Sequence, residues 1–250
     1  MKYIRYSVNS AEKYGILVDN TIKEIDGNIF GEFKENGKSF SLNEVTLLPP
    51  VKPTKIVAIG LNYRAHAVEL NMITPNEPLI FLKPVSAIIA SGENIEYPDC
   101  SSQVDYEGEL GVVIKKTTKD IERDEAKDYI LGYTCINDIT ARDLQRQDVQ
   151  FTRAKSFDTF CPIGPCIETE VDPLDVEIKT YLNGKLMQDS NTSDMIFDVY
   201  YIVSYLSKIM TLEEGDVIIT GTPQGVAHMH KGDEVVVEIE NIGRLENKVI

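Results

Sequence analysis

The chain has 250 residues, 42% of them hydrophobic, enough to bury roughly 70% of its unfolded surface in one large domain plus a small appendage. Its 40 acidic residues outweigh 25 basic ones, for a net charge of -15, so no basic face is available for nucleic-acid phosphates or anionic lipid. No uncharged stretch approaches the roughly 18 apolar residues of a membrane span, and the start Met1-Lys2-Tyr3-Ile4-Arg5-Tyr6 carries no export signal, so the expected location is the cytoplasm.

From residue 2 to about 45, short alternating stretches separated by Val18-Asp19-Asn20, Asp26-Gly27-Asn28 and Asn36-Gly37 predict a small β meander. The run Leu48-Pro49-Pro50-Val51-Lys52-Pro53 fixes φ at three positions and cannot continue a sheet. The predicted division is therefore a small N-terminal β domain with its linker over 1–52 and a larger domain over 53–250. Residues 55–60 read as a buried strand, and Asn62 as the N-cap of a short helix over 65–70. Further strands are predicted at 79–82, 105–114, 130–137, 176–182, 216–220 and 234–239. Behind Ser193 as an N-cap, Ile196, Val199, Tyr200, Val203, Leu206, Ile209 and Met210 recur at helical spacing, which predicts a core helix. The fold class is mostly β with few helices (α+β). No repeat, Walker or dinucleotide-binding motif is present. Cys100, Cys135, Cys161 and Cys166 form no C-x-x-C pair and read as thiols rather than disulfides or zinc ligands.

The chemistry-bearing segment is Asp105-Tyr106-Glu107-Gly108-Glu109-Leu110. On a strand, Glu107 and Glu109 point to one face, and two buried carboxylates side by side repel unless a cation compensates them. The competing reading is a solvated charged rim. Asp138 ends the strand predicted at 130–137, and Thr140 with Asp143 three residues on reads as a capping box that starts a helix. A third carboxylate there could complete an all-oxygen site for a hard ion, Mg²⁺ or Mn²⁺. Arg142 and Gln145 then share a helix face, as a substrate-binding pair would or as two surface residues would. Lys155 either meets negative charge on a substrate or neutralises the acidic cluster. His66 and Glu69, three apart on a helix, could form a base for water, though such pairs also arise by accident. His228 and His230 read as loop residues, and Gly221-Thr222-Pro223-Gln224-Gly225 as a turn whose amides and hydroxyl could hold a carboxylate.

Taken in order, these segments resemble the fumarylacetoacetate hydrolase family. The pieces are Gly60-Leu61-Asn62-Tyr63 with His66 and Glu69, Phe81-Leu82-Lys83-Pro84, the Asp105 to Leu110 segment, Asn137-Asp138-Ile139-Thr140-Ala141-Arg142-Asp143-Leu144-Gln145, Ala154-Lys155-Ser156-Phe157-Asp158-Thr159-Phe160-Cys161-Pro162 and Gly221-Thr222-Pro223-Gln224-Gly225-Val226. The resemblance implies a mixed β-roll catalytic domain, as a homodimer, behind a small N-terminal domain. It implies that Glu107, Glu109 and Asp138 bind Mg²⁺ or Mn²⁺, and that His66 and Glu69 form a base dyad on a lid. Lys155, Arg142, Gln145, Lys83 and Thr222 would hold a small 2-oxo acid substrate. A further acidic ligand found upstream in the longest family members has no counterpart here. The expected activity is hydrolysis of a carbon-carbon bond in short 2,4-dioxo acids of acylpyruvate or fumarylacetoacetate type, through an enolate. The alternatives are decarboxylation of oxaloacetate-like acids, isomerisation of 2-hydroxyhepta-2,4-diene-1,7-dioate, or a non-catalytic metal-stabilised binding protein.

Overall fold

A computed structural model describes residues 1–250 and is predominantly β: twenty strands, four α-helices and four short 3₁₀ turns. The main sheet has twelve strands. Its path runs Phe33–Ser41, Thr21–Gly27, Ala11–Val18, Lys2–Val8, Cys161–Glu168, Ile130–Asn137, Gly108–Ile114, Val217–Ile219, Ile56–Gly60 and Leu79–Lys83. Two-residue strands attach beside Lys2–Val8 and Cys161–Glu168. A five-stranded sheet (Lys185–Asn191, Glu177–Leu182, Glu234–Ile239, Gly243–Val249, Asn94–Ile95) and a three-stranded one (Thr140–Ala141, Val104–Asp105, His228–Met229) complete the architecture. The N-terminal meander forms as its turns predict and joins the main sheet through Lys2↔Glu168 and Tyr3↔Ile167.

The largest apolar cluster lies between the main sheet, the five-stranded sheet and the helix Val199–Ile209. Val57, Leu110 and Val112 from the first meet Ile178, Val237 and Leu245 from the second and Ile202, Val203 and Leu206 from the helix. The helix buries Val199, Ile202, Val203 and Leu206 at spacings of three and one, one apolar stripe toward the core. Each such side chain contributes ~1.5–3 kcal/mol. No helix is long and apolar enough to cross a membrane. The cysteines are free thiols, three of them buried.

Several local expectations change in three dimensions. The stretch 105–114 is two strands: Val104–Asp105 belongs to the small sheet and Gly108–Ile114 to the large one, so Tyr106 and Glu107 form the crossing between them. A Cβ at Gly108 would collide with Thr180 Oγ1, which makes glycine the residue that fits the crossing. The core helix starts at Val199, capped by Asp198, whose side chain accepts from Tyr201 N at 3.0 Å; Ser193 lies in the 3₁₀ turn Thr192–Asp194. Asn62 caps nothing. Its Oδ1 accepts from Phe197 N at 2.9 Å and its Nδ2 donates to Thr220 O at 2.7 Å, while the helix Arg64–Glu69 opens at Tyr63 without a side-chain cap. Thr140 is a strand residue whose hydroxyl donates to Asp138 O at 3.1 Å, and Asp143 accepts from Ser101 and Ser102, so the capping box does not form. His228 is not in a loop: it pairs with Asp105 in a short strand.

Candidate active site

Two neighbouring strands, Ile56–Gly60 and Val217–Ile219, run parallel in register Val217↔Ile56 to Ile219↔Ala58. Open α/β sheets bind ligands beyond the carboxyl ends of such strands, and here the chain turns at both ends into the candidate site. Past Gly60 it enters the helix Arg64–Glu69, which carries His66; past Thr220 it reaches Gly221 and Thr222. The antiparallel neighbour Gly108–Ile114 delivers Glu107 and Glu109 to the same place, and the end of Ile130–Asn137 delivers Asp138. A cavity of about 210 Å³ results. Its floor holds Glu107, Glu109, Asp138 and Lys155, its rim holds Arg142, Gln145 and Arg146, and much of its wall is apolar.

The three carboxylates are 2–5% exposed for the glutamates and 1% for Asp138, and one oxygen of each lies within 4.8 Å of the others. Three carboxylates cannot share a desolvated site without cations. Lys155 Nζ supplies one, at 2.6 Å from both Glu107 Oε2 and Asp138 Oδ2. Arg142 supplies another, with Nε 2.8 Å from Asp105 Oδ2, Nη2 2.5 Å from Glu107 Oε1 and Nη1 2.6 Å from Gln145 Oε1. Lys83 lies behind the cavity wall. Its Nζ is 2.7 Å from Asp138 Oδ1, but it directs hydrogen bonds to Lys155 O at 2.6 Å and Ile139 O at 3.3 Å. Asp138 Oδ1 therefore has a cation beside it and no directed hydrogen bond.

The electrostatics are uneven. Burial would raise the Glu107 carboxyl, yet Lys155 and Arg142 hold it down at about 2. Burial, Asp138 and Glu107 push Glu109 well above the usual carboxylate range, and the opposing pull of Lys155 and of the Gly221 N–H does not offset them. Burial alone would lower Lys155; Asp138 and Glu107 outweigh it and keep the ammonium charged. An oxygen triad with one over-raised carboxyl and one carboxylate oxygen lacking a hydrogen bond suits a hard divalent ion, Mg²⁺ or Mn²⁺. The donor set fits such an ion.

Across the cavity, His66 is 4% exposed and its Nδ1 lies 2.8 Å from Glu69 Oε2. Glu69 Oε1 accepts from Gly225 N at 3.0 Å, which ties the helix to the 221–225 turn. Thr222 lines the cavity, but its hydroxyl donates to Gly108 O at 2.9 Å and accepts from Gln188 Nε2 at 2.8 Å. The structure thus gathers His66, Glu107, Glu109, Asp138, Arg142, Gln145, Lys155 and Thr222 around one cavity and sets Lys83 behind it. Two participants were not singled out in the sequence: Asp105, which lies in the acidic motif but serves to anchor Arg142, and Arg146, whose one local signal is its place four residues after Arg142. The amides expected of the 221–225 turn do hold carboxylates, Gly221 N that of Glu109 and Gly225 N that of Glu69.

Comparison with known proteins follows the same lines. The family model described as "Fumarylacetoacetate (FAA) hydrolase C-terminal" matches residues 55–250, and one described as "Rv2993c-like, N-terminal" matches residues 1–50. A mitochondrial oxaloacetate tautomerase of Bos taurus is 43% identical over 83% of this chain and 70% of its own. The crystal structure of a 5-carboxymethyl-2-hydroxymuconate delta-isomerase from Mycobacterium smegmatis, 42% identical, superposes with a TM-score of 0.94 over 100% of this chain and 99% of that one. A maleylpyruvate hydrolase from Sphingobium sp. SYK-6, solved with manganese(II) and pyruvate, is 28% identical with a TM-score of 0.84, covering 100% of this chain and 99% of that one.

Proposed function

From the premise that this chain belongs to the fumarylacetoacetate hydrolase family, whose members are enzymes, we propose that it is a divalent-metal-dependent hydrolase that cleaves a carbon-carbon bond in short 2,4-dioxo acids. The observation that carries this reading is the His66–Glu69 pair, set in the wall of the cavity whose floor is the acidic triad. With Nδ1 engaged by Glu69, Nε2 is the ring nitrogen left for a water molecule. The carboxylate orients the imidazole and stabilises the imidazolium formed when it takes a proton. Tautomerisation alone requires no base for water.

Glu107, Glu109 and Asp138 would hold a Mg²⁺ or Mn²⁺ ion, which would supply Lewis acidity for the negative charge that develops on a bound 2-oxo acid. The chain does the rest. Lys155, kept cationic by Asp138 and Glu107, meets negative charge developing at the 2-oxo end. His66 removes a proton from water as its oxygen bonds to carbon 4; the bond between carbons 3 and 4 breaks, its electron pair stays on carbon 3, and carbon 3 takes up a proton. One water is consumed, and pyruvate and a carboxylic acid leave. Ile59, Leu61, Leu70, Met72, Phe81 and Phe151 line the wall and limit other water.

Turnover in H₂¹⁸O tests the reading: the released acid is expected to carry one ¹⁸O in its carboxylate, and His66→Ala to slow its release by about 10²–10⁴-fold. Release of unlabelled acid would overturn it. A second reading, tautomerisation or decarboxylation of oxaloacetate-like acids, draws on the bovine relative and the isomerase neighbour; it uses the same floor without attacking water and gives no labelled acid.

A further inference from the structure

The helix Arg142–Gln147 sets Arg142, Gln145 and Arg146 at i, i+3 and i+4, on one face, and all three line the cavity. The cations around that cavity differ in what they are bound to. Lys155 is paired with Glu107 and Asp138, and each guanidinium nitrogen of Arg142 already donates to Asp105, Glu107 or Gln145. Arg146 has no acidic partner. Its side chain makes one hydrogen bond, from Nη1 to Gln103 Oε1 at 3.0 Å.

That bond is itself positioned. Gln103 Nε2 donates to both oxygens of Asp105, at 3.2 and 3.3 Å, and Asp105 in turn holds Arg142. The amide is therefore turned so that its oxygen faces Arg146, and the guanidinium is anchored at the rim while its remaining N–H groups stay free. In a chain of net charge -15, an arginine without a carboxylate, at the mouth of a cavity with an acidic floor, is placed to attract an anion from outside.

We propose that Arg146 is a specificity-determining residue whose guanidinium binds a second, distal carboxylate, so that this one side chain sets the preference of the cavity for a 2-oxo dicarboxylic acid over its monocarboxylic analogue. This rests on the hydrolase reading of the same cavity and narrows it. The floor takes the 2-oxo acid end, the apolar wall takes the carbon spacer, and the rim guanidinium takes the far carboxylate in a forked pair. The cavity, about 210 Å³, lies below the usual range for drug-sized ligands and keeps the spacer short.

Calorimetric titration of the Mg²⁺-loaded full chain with 2-oxoglutarate and 2-oxopentanoate tests this, since the two share a five-carbon skeleton and differ by the distal carboxylate. Wild type is expected to bind the dicarboxylate about tenfold or more tightly, the size of one charge-assisted contact. Arg146→Gln should bind both alike, Arg146→Lys should restore part of the preference, and oxalate, which has the chelating end alone, should bind both proteins equally. Equal binding of the two acids by wild type, or a preference that survives in Arg146→Gln, would overturn the proposal. So would loss of oxalate binding in Arg146→Gln, which would assign Arg146 to the structure of the site. The two readings fail separately: a preference abolished by Arg146→Gln without ¹⁸O-labelled product refutes hydrolysis alone, and hydrolysis without the preference refutes the role of Arg146 alone.

Discussion

The parallel strand pair Ile56–Gly60 and Val217–Ile219 has a buried carboxylate at each end, and the two are treated in opposite ways. At the amino end Asp216 is 0% exposed and saturated. Its Oδ1 accepts from Thr54 N at 3.0 Å, Thr54 Oγ1 at 2.7 Å and Lys55 N at 3.0 Å; its Oδ2 accepts from Glu213 N at 2.7 Å and pairs with the Lys55 ammonium. At the carboxyl end Glu109, 2% exposed, has the Gly221 N–H and two like charges nearby. Burying a charge is tolerable when hydrogen bonds and an opposite charge replace water. The saturated end fastens two strands to each other; the under-paired end leaves carboxylate oxygens available to the ion proposed above. Satisfaction, rather than burial, is what distinguishes Asp216 from Glu109 in this molecule.

Substitutions at the two ends should behave accordingly. Glu109→Gln is expected to lower metal-dependent turnover on the order of a thousandfold, the value of a lost Lewis-acid contact. It should also raise the melting temperature of the metal-free protein, because a repelled carboxylate is gone; a fall in both would make Glu109 structural. His66→Ala should lower kcat by about 10²–10⁴-fold while the rise in melting temperature with Mg²⁺ persists, separating base from floor in one thermal-shift experiment. Asp216→Asn should cost about 3 kcal/mol of stability by leaving Lys55 and its neighbouring amides under-paired. That corresponds to a melting temperature lower by about 6–12 °C in a chain of this size, with activity per folded molecule unchanged.

The smallest effect concerns acid. Burial would raise the Asp143 carboxyl, but the Ser102 N–H and the Ser101 and Ser102 hydroxyls hold it at about 2. The unfolded chain takes up this proton first as pH falls, so the stabilisation is complete above the usual carboxylate range and disappears toward pH 2. Denaturant titrations between pH 5 and pH 2 should show a shallower loss of stability for Asp143→Asn than for wild type. Equal slopes would detach Asp143 from the acid response.

Much of this was legible in the sequence where information is local. The stretches 130–137 and 234–239 coincide with observed strands because continuous apolar runs admit little else. Glu107, Glu109 and Asp138 signalled one another because alternation and a strand end constrain where their side chains go. Caps were read wrongly where a tertiary partner outcompeted the local one: Asn62 is drawn to Phe197 and Thr220, and Asp143 to two serines some forty residues upstream. Cys161–Glu168 went unread as a strand because Pro162 and Pro165 disguise it, yet it joins the N-terminal meander to the rest of the sheet. Gly243–Val249 hides its inward Leu245, Asn247 and Val249 among exposed Arg244, Glu246 and Lys248. The role of Asp105, of the Gly221 amide and of the Gln103–Arg146 contact depends on pairings that spacing does not encode.

The most direct measurement is proton NMR of the Mg²⁺-loaded protein with acetylpyruvate, alongside EDTA-treated protein and Glu109→Gln. Acetate and pyruvate in equal amounts, lost in both controls, are the expected result. Acetylpyruvate that stays intact beside active-site-loaded enzyme, or cleavage that continues in EDTA and in Glu109→Gln, would contradict the assignment of the under-paired carboxylates to metal-dependent hydrolysis.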